Sequence, residues 1–529
     1  MKRSLMDHAT VLDRAALAVS PTWGLRRIHA RAAAYAYLAA SPTLRTPLPW
    51  KPYGKASADG ALAPSLRALI DRSRSLSDNH PAARAAIDAG AGILVGTGIA
   101  IEPDSGIAEN DELYADLFET WATTAGIDGS TLWEMQTRAC IEWKEAGGFV
   151  WRWVIDRDRT AAGMLPDCLM ELSVDWLSED PVAPIDAGHG FVHGVELDRF
   201  GRPTHYHLRH PDGGSPIRAL GGGAVLPTDV RDERVPASEI IHGYRRRRAA
   251  QHVGEPELAP AAIWLWNGHS LIDAELKSAV VGASPALLVK TRKGGTSIHD
   301  LGESAAPTAE RPNPLPALGS TMPAGGGVAG LYPDEDVQVV ANTRPSQQIM
   351  PFMKAIWGVV AGSLRIGRRM IDRDYSDATF SSLRADEADT QRQALPEQQV
   401  LGRFVATMPY RRVLPLLAAL AGRPLPKAAA LRERALRHDL MPDGTPYVNP
   451  VDDIRASVDA IAAGLSCHSD EASKRGKNYR RLWRQLAKEK AEREKLDLVF
   501  DLSATNAPAP ASTLGDPAPA AATPAKDAP

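Results

Sequence analysis

Cysteine is scarce in this sequence, with only 3 residues among 529. Cys140, Cys168 and Cys467 are far apart, and no two of them form a CxxC pair. A disulfide framework uses an even set of cysteines, and a cysteine-rich zinc site needs closely spaced thiolates. We therefore expect neither, and we expect a reducing intracellular compartment.

A strong excess of either charge is also absent. Lysine and arginine total 61 against 64 acidic residues, which gives a formal net charge of -3. A protein that holds nucleic acid over its whole surface needs a cationic face, because basic side chains must neutralise the phosphates. The charge balance excludes that class of protein.

No apolar run is long enough to cross a membrane. The most apolar windows, 85–101 and 413–422, are shorter than the roughly 18 to 20 residues that a membrane helix needs. Near the N-terminus, Asp7, His8 and Asp13 interrupt any signal-peptide core. We expect no transmembrane helix and no export by a signal peptide.

The motifs of several enzyme classes are missing. There is no GxxxxGK[ST] loop, no GxSxG turn, no HExxH and no EF-hand loop. GTGI at 96–99 lacks the further glycine of a dinucleotide fingerprint and the lysine of a P-loop, so the segment 92–101 predicts a tight turn into a strand. The residues indicate a protein that is not an enzyme and needs no cofactor.

The sequence does contain enough residues for several domains and two kinds of hydrophobic periodicity. Helical spacing extends to about residue 147, with a break at Asn79-His80-Pro81 and two amphipathic helices on either side of 126–130. From 148 to 245 the period changes to two, which is typical of short strands. The predicted fold class is α+β.

Two further helices bracket a long excursion. Residues 262–281 predict the first helix, and the second begins near Met350 with Pro351 in its first turn. Between them, strand patterns at 287–293 and 330–340 flank a run that is rich in glycine and proline. The apolar stripe predicted for packing on the second helix comprises Phe352, Met353, Ile356, Trp357, Val360 and Leu364.

The β-patterned unit contains a group of five histidines, His189, His193, His205, His207 and His210. Alternate positions share a face of a strand, which is compatible with a metal site. No carboxylate or cysteine stands at ligand spacing, and strand histidines are commonly exposed or hydrogen-bonded. We predict no bound metal, and a metal-dependent hydrolase at this unit remains an alternative.

The segment 374–393, DYSDATFSSLRADEADTQRQ, has the hydroxyls, carboxylates and arginines of a catalytic loop. General acid–base chemistry needs two carboxylates held together in a desolvated cleft, and the sequence shows no such pairing. The second half predicts a polar helix that is capped by Ser381 or Ser382 and ends at Pro396. An acid–base hydrolase is the second form of the alternative.

The C-terminal part predicts two helices and a tail. The first helix covers 451–466, and the second covers 473–500 with a basic first half. Beyond residue 502 the chain is rich in alanine, proline and threonine, so it has too few bulky residues to form a core. We expect 502–529 to be disordered.

Four blocks, in this order, resemble the portal proteins of lambda-type tailed bacteriophages. They are RALIDRSRSLSDNHPAARAAIDAGAGILVGTGI at 67–99, GVELDRFGRPTHYHLRHP at 194–211, RVPASEIIHGYRRRRAAQHVGEPELAPA at 234–261 and DRDYSDATFSSLRADEADTQRQ at 372–393. The resemblance covers roughly residues 30–500. Several unrelated blocks in the expected order are more specific than any one of them.

The resemblance implies a homo-oligomeric ring of about twelve subunits at the unique capsid vertex of a virion. Double-stranded DNA passes through the ring during packaging and ejection, and assembly takes place in the host cytoplasm. The implied partners are the terminase large subunit, the major capsid or scaffold protein and a head–tail adaptor. The terminase hydrolyses ATP in this family, which agrees with the missing phosphate loop, and no membrane is involved.

The family architecture is an α/β wing, a two-helix stem, a small β-containing clip and a helical C-terminal crown. By resemblance, the segments are 1–261 (N-terminal region and wing), 262–284 (first stem helix), 285–345 (clip), 346–371 (second stem helix), 372–450 (channel-facing segment and remaining wing), 451–501 (crown) and 502–529 (disordered tail). The clip segment is richer in proline and glycine than the family pattern.

The resemblance also places 372–396 near the channel wall. A ring contains one copy of each carboxylate per subunit, so its channel wall repels the phosphates of DNA. This repulsion disfavours tight DNA contacts, which would stall transport. Intersubunit or helix-surface salt bridges are the alternative role. The channel candidates are Asp374, Asp377, Arg384, Asp386, Glu387, Asp389 and Arg392, and the basic crown candidates are Lys474, Arg475, Lys477, Arg480, Arg481 and Arg484. Arg368 and Arg369 depart from the neutral residues expected before this segment.

Overall fold

The computed structural model describes residues 57–209, 232–283, 287–291, 335–339, 348–376, 378–444 and 449–498. The predictions for His210, Asp377 and the tail at 502–529 lie outside these residues. The chain divides into two compact units, Met1–Asp443 and Gly444–Pro529. Helices and small sheets are mixed in the first unit, which confirms the α+β class.

The first unit contains most of the secondary structure. Its helices are α1 (Ala58–Leu62), α2 (Leu66–Asn79), α3 (Pro81–Leu94), α4 (Ala108–Ala122), α5 (Leu132–Ala146), α6 (Arg157–Ala161), α7 (Ala262–Ala283), α8 (Ile349–Leu364), α9 (Arg369–Asp372), α10 (Phe380–Gly402), α11 (Met408–Leu420) and α12 (Ala429–Ala435). Its strands are β1 (Ala100–Pro103), β2 (Gly148–Ile155), β3 (Asp167–Leu172), β4 (Gly190–Val192), β5 (Val195–Leu197), β6 (Pro203–Leu208), β7 (Glu233–Pro236), β8 (Ile240–Tyr244), β9 (Leu287–Thr291), β10 (Glu335–Val339) and β11 (His438–Met441).

The N-terminal helices follow the sequence signals. His80 has extended backbone between α2 and α3, and Pro81 stands in the first turn of α3, where the missing N–H removes no helical hydrogen bond. α5 begins with a capping box formed by Thr131 and Glu134 and ends at Gly147, whose φ of 85° favours glycine. The predicted break and the two helices around 126–130 are confirmed.

The segment 92–101 is a turn into a strand only in part, because α3 continues to Leu94. The turn follows at Gly96 and Gly98, and β1 begins at Ala100. A Cβ atom at Gly98 would lie 2.0 Å from the Trp133 ring, so the chain needs glycine there for close packing. The glycines of this turn therefore have a structural role.

The period-two region forms two antiparallel sheets, with strand orders β3-β2-β8 and β4-β5-β6-β7. Two smaller antiparallel pairs join β1 to β11 and β9 to β10. β9 and β10 both lie in the chain between α7 and α8. The strands predicted from the alternating pattern are confirmed.

An aromatic core lies between α4, α5, β2 and α11. Trp143, Phe149, Trp151 and Tyr410 are almost completely buried in it. Each such side chain contributes roughly 1.5 to 3 kcal/mol by burial, which offsets much of the cost of ordering the chain. The chain passes from α10 into α11 through a π-helical turn at Arg403–Thr407.

A second core joins α3, α7 and α8. Leu265 of α7 and Val360 and Leu364 of α8 are buried together with Ala83 of α3. Gly268 lets the two long helices approach each other, since a Cβ atom there would lie 3.2 Å from Ile356. The two helices predicted on either side of the long excursion are confirmed, although α8 at Ile349–Leu364 is shorter than the predicted segment 346–371.

The second unit contains α13 (Pro450–Ala462), α14 (His468–Ser473) and α15 (Tyr479–Lys495). The prediction of a single helix over 473–500 is wrong. Gly476, with a φ of 64°, interrupts the helix, and the Asn478 side chain caps the start of α15 by accepting from the Arg481 N–H.

Of the helices that the structure describes, none combines the length and the apolar character needed to cross a bilayer.

Candidate functional site

The predicted channel segment begins beside α8. The Lys354 ammonium on α8 lies 2.6 Å from a carboxylate oxygen of Asp374. Hydrogen bonds from Lys354 and then from Ser376 hold the pKa of Asp374 well below its usual range. Asp374 is therefore an anion that is already paired within its own chain.

Arg368 and Arg369, the two arginines that depart from the family pattern, contact acidic residues of the same segment. Arg368 pairs with Asp372, and the Arg369 guanidinium lies 3.6 Å from Asp386 on α10. A Cβ atom at Gly367 would lie 2.8 Å from the Asp386 carboxylate, so glycine leaves room for it. These contacts fix the segment against the end of α8.

The cap of α10 is Thr379, not Ser381 or Ser382. The Thr379 hydroxyl accepts a hydrogen bond from the Ser382 N–H at 3.2 Å, and the Ser382 hydroxyl accepts one from the Thr379 N–H at 3.0 Å. This is a capping box in which serine replaces the usual Glu or Gln. Ser382 takes part from inside the helix, which is why it carried a cap signal.

α10 does not end at Pro396 but continues to Gly402. An internal proline costs about 3 kcal/mol, because it removes a hydrogen bond and crowds the preceding turn. Beyond it, Glu397 and Gln398 are buried and hydrogen-bonded, and Leu401 lies in the aromatic core. We attribute the continued helix to these tertiary contacts.

The remaining described channel candidates lie on α10 before Pro396. Asp389 accepts a hydrogen bond from the side-chain amide of Gln393 at 2.8 Å. The exposed members of the set are Arg384, Asp389 and Arg392, and the half-buried members are Asp386 and Glu387. The structure thus brings Asp374 and Asp386 to cations of α8 and α9 and places Asp389 at the surface of this chain.

The packing stripe predicted for the second long helix is buried at four of its six positions. Met353, Ile356, Val360 and Leu364 are buried, Trp357 is half-buried, and Phe352 is 52% exposed. Phe352 lies in the first turn of α8, which projects beyond the core formed with α3 and α7.

The basic crown candidates make local contacts in the second unit. Lys474 lies 2.7 Å from Glu471, and Arg475 donates to the Ser457 hydroxyl at 3.1 Å. Arg480 donates to the Tyr479 hydroxyl at 3.0 Å. Lys477, Arg481 and Arg484 are exposed.

Sequence reasoning missed a buried ion network at the ends of α7 and α8. Lys144 of α5 is 1% exposed, and its ammonium lies 3.1 Å from Glu257, which precedes α7 and is 5% exposed. Burial raises the pKa of Glu257 to about 7, although the positive charge of Lys144 acts to lower it. A lysine on an amphipathic helix is normally counted as exposed, so periodicity gave no signal.

Arg365 extends this network to α10. It caps the C-terminus of α8 with a left-handed φ of 58°, and its guanidinium donates to Glu257 and, at 3.2 Å, to Glu397. Arg245 lies 3.6 Å from Glu397. One network therefore joins α5, the start of α7, the end of α8 and α10.

The histidine-rich unit contains a second buried centre. Glu196 is fully buried, and its carboxylate lies 2.7 Å from His189 Nδ1 and 3.1 Å from His207 Nε2. Burial alone would raise the pKa of Glu196, but hydrogen bonds from Arg234 and the two histidines hold it well below its usual range. Sequence reasoning missed this carboxylate, because pairing between β5 and β6 brings it to the histidines.

This centre is poorly suited to a metal ion. Asp186, His189 and Glu196 do bring potential ligand atoms within 4.8 Å of one another. However, Arg234 Nη2 donates to Asp186 at 2.7 Å and to Glu196 at 3.0 Å, so a guanidinium already lies between the two carboxylates. His193 instead contacts the Ala63 carbonyl. The arrangement supports a structural role, and the metal-dependent hydrolase loses its basis.

Comparison with known proteins agrees with the sequence blocks. Residues 48–398 match the model of the family described as phage portal protein, lambda family. Three solved structures of gene transfer agent particles contain chains that are 14% identical to this one: the neck of an empty particle computed with C6 symmetry, the neck of a native particle computed with C12 symmetry, and the native virion.

The structural matches are long, although their scores are modest. The first covers 78% of this chain and 94% of the matched chain with a TM-score of 0.44; the other two cover 76% and 92%, with TM-scores of 0.39 and 0.38. The family match alone spans more than half of the 529 residues. This protein therefore belongs to the lambda family of phage portal proteins.

Proposed function

We propose that the chain assembles into a closed ring of about twelve copies at one capsid vertex of a virion, after assembly in the host cytoplasm. The ring is a conduit for double-stranded DNA during packaging and ejection and does no chemistry itself. It docks the terminase large subunit, a head–tail adaptor and the major capsid or scaffold protein. Membership of the lambda portal family is the observation that carries this proposal.

The order of elements supports the proposed architecture. α7 and α8 are the two stem helices, and they pack on each other through Gly268 and Ile356. The excursion between them contains the antiparallel pair β9-β10, which suits the clip at 285–345. The two sheets of 148–245 belong to the wing, and α13 to α15 form the crown.

Ring formation is tested by native mass spectrometry and negative-stain imaging of the purified chain. We expect closed rings with a central hole and a mass near twelve subunits. A monomer or dimer at every salt concentration would contradict the proposal.

The channel assignment of α10 needs a separate test. In a Cys467→Ser background, Asp389→Cys is labelled with maleimide nanogold and the rings are viewed end-on; Cys140 and Cys168 are buried. We expect gold at the central hole. The matched control is Phe200→Cys on the wing, where Phe200 is 68% exposed and should place gold at the outer edge. Peripheral gold at Asp389 would remove α10 from the channel while leaving the ring intact.

A further inference from the structure

α13 carries an apolar stripe that no described residue of the second unit covers. The stripe has the 3-4-3 spacing of a heptad seam, which packs against another helix. Val451 is 73% exposed, Ile454 49% and Val458 58%. The full stripe on α13 is Val451, Ile454, Val458 and Ile461. A different face of α13 is used for packing within the unit, through Ser457, which accepts from Arg475.

α15 presents a second apolar stripe. Leu482, Trp483 and Leu486 are 37%, 52% and 49% exposed. At about 100° per residue these three side chains share one face, and Arg484 and Lys488 lie on the opposite face. Trp483 makes edge contacts with His468 and Tyr479, which fixes its ring without covering it. Both stripes are therefore exposed, and they do not cover each other within one chain.

The two helices have opposite net charge. α13 has three aspartates and one arginine, a formal charge of -2. α15 has seven lysine and arginine residues and three glutamates, a formal charge of +4. Coulomb attraction therefore favours α13 paired with α15, and two copies of the same helix repel each other.

We propose that α13 of one subunit docks its stripe against the α15 stripe of a second copy of this chain. A ring is built by heterologous contacts, in which each subunit presents two different complementary patches, and these two stripes are such a pair. The C-terminal tail is a poor occupant, because 502–529 contains Leu502 and Leu514 as its only large apolar residues. This inference rests on the proposed ring.

The test uses two full-length chains with different tags, both in the Cys467→Ser background. One carries Val458→Cys and the other Leu486→Cys. They are co-expressed, rings that contain both tags are isolated, and a short bismaleimide is added. A covalent product with both tags must join two subunits. The matched control pair is Asp459→Cys with Arg484→Cys, on the charged faces of the same helices.

For the Val458→Cys and Leu486→Cys pair we expect a band at twice the subunit mass that carries both tags. The control pair should not give this band. Intact rings without the mixed product would overturn the inference and leave the ring standing. Products that join two Val458→Cys chains would also overturn it. So would a cross-link within one chain in a separate variant that carries both Val458→Cys and Leu514→Cys. Failure of the unsubstituted chain to form rings would reject the proposed function, and this contact with it.

Discussion

The Lys144 ammonium lies 3.1 Å from the Glu257 carboxylate, and both side chains are buried beneath the ends of the two long helices. A buried ion pair gains little net free energy, but removal of one partner leaves a desolvated charge. Arg365 and Glu397 share the same network, so the pair is one of the contacts that join the end of α8 to α5 and α10.

Lys144→Met should lower the free energy of unfolding by about 3 kcal/mol, because Glu257 loses the fully buried cation of the network and keeps the more exposed Arg365. Urea denaturation measures this change. The control is Lys277→Met, which removes an exposed pair with Asp273 at 2.6 Å on α7 and should cost less than about 1 kcal/mol. Equal losses of unfolding free energy in the two variants would show that the buried pair contributes no more to stability than the exposed pair.

Gly90→Ala should destabilise the protein by about 1 to 3 kcal/mol, because the new methyl would lie 2.6 Å from Lys144 Cε, and the ammonium cannot move without leaving Glu257. Gly92→Ala on the same helix is the matched control. Nothing lies within 4 Å of its Cβ, so it should stabilise α3 by up to about 1 kcal/mol. The two melting temperatures should move in opposite directions, and a shared direction would contradict the packing.

Thr379→Ala should cost about 1 kcal/mol, because the Ser382 N–H loses its acceptor at the start of α10. Hydrogen exchange at 380–383 is the measurement, and protection should fall there first. Ser381→Ala is the control and should leave protection unchanged, since Ser381 does not cap the helix. The reverse result would restore the cap that the sequence suggested.

His242 should make stability depend on pH. Burial lowers its pKa to about 3, whereas an unfolded histidine titrates near 6.5. Between these values the unfolded chain binds a proton that the folded chain does not, so stability is lost as pH falls below about 6.5.

The variant His242→Phe tests this dependence, because the ring packs against Tyr206 and Tyr244. The slope of the unfolding free energy between about pH 6 and 4 should flatten by up to about 1.4 kcal/mol per pH unit relative to the parent. Above about pH 7.5 the two slopes should coincide, because both states then hold the histidine neutral. An unchanged acid slope would mean that His242 is protonated in the folded protein.

Local signals predicted most helices and strands. The break at Asn79-His80-Pro81 and the segment 126–130 between two amphipathic helices are signals within a few residues, so they are visible in the chain itself. The end of α10 could not be predicted from local signals. The contacts that stabilise the helix beyond Pro396 are made with Ile93 and Arg365, which are distant in sequence. Propensity describes one segment, whereas these contacts belong to the packed unit.

The sequence by itself determined the α+β class, the two long helices with their excursion, and the family, because periodicity and ordered blocks are properties of the chain. Only the tertiary structure decided which charges are buried. Glu196 meets His207 through pairing of β5 with β6, and Lys144 meets Glu257 because the segment before α7 hydrogen-bonds to the end of α5. The free energy of a buried charge depends on partners brought together by folding, and no local pattern encodes them.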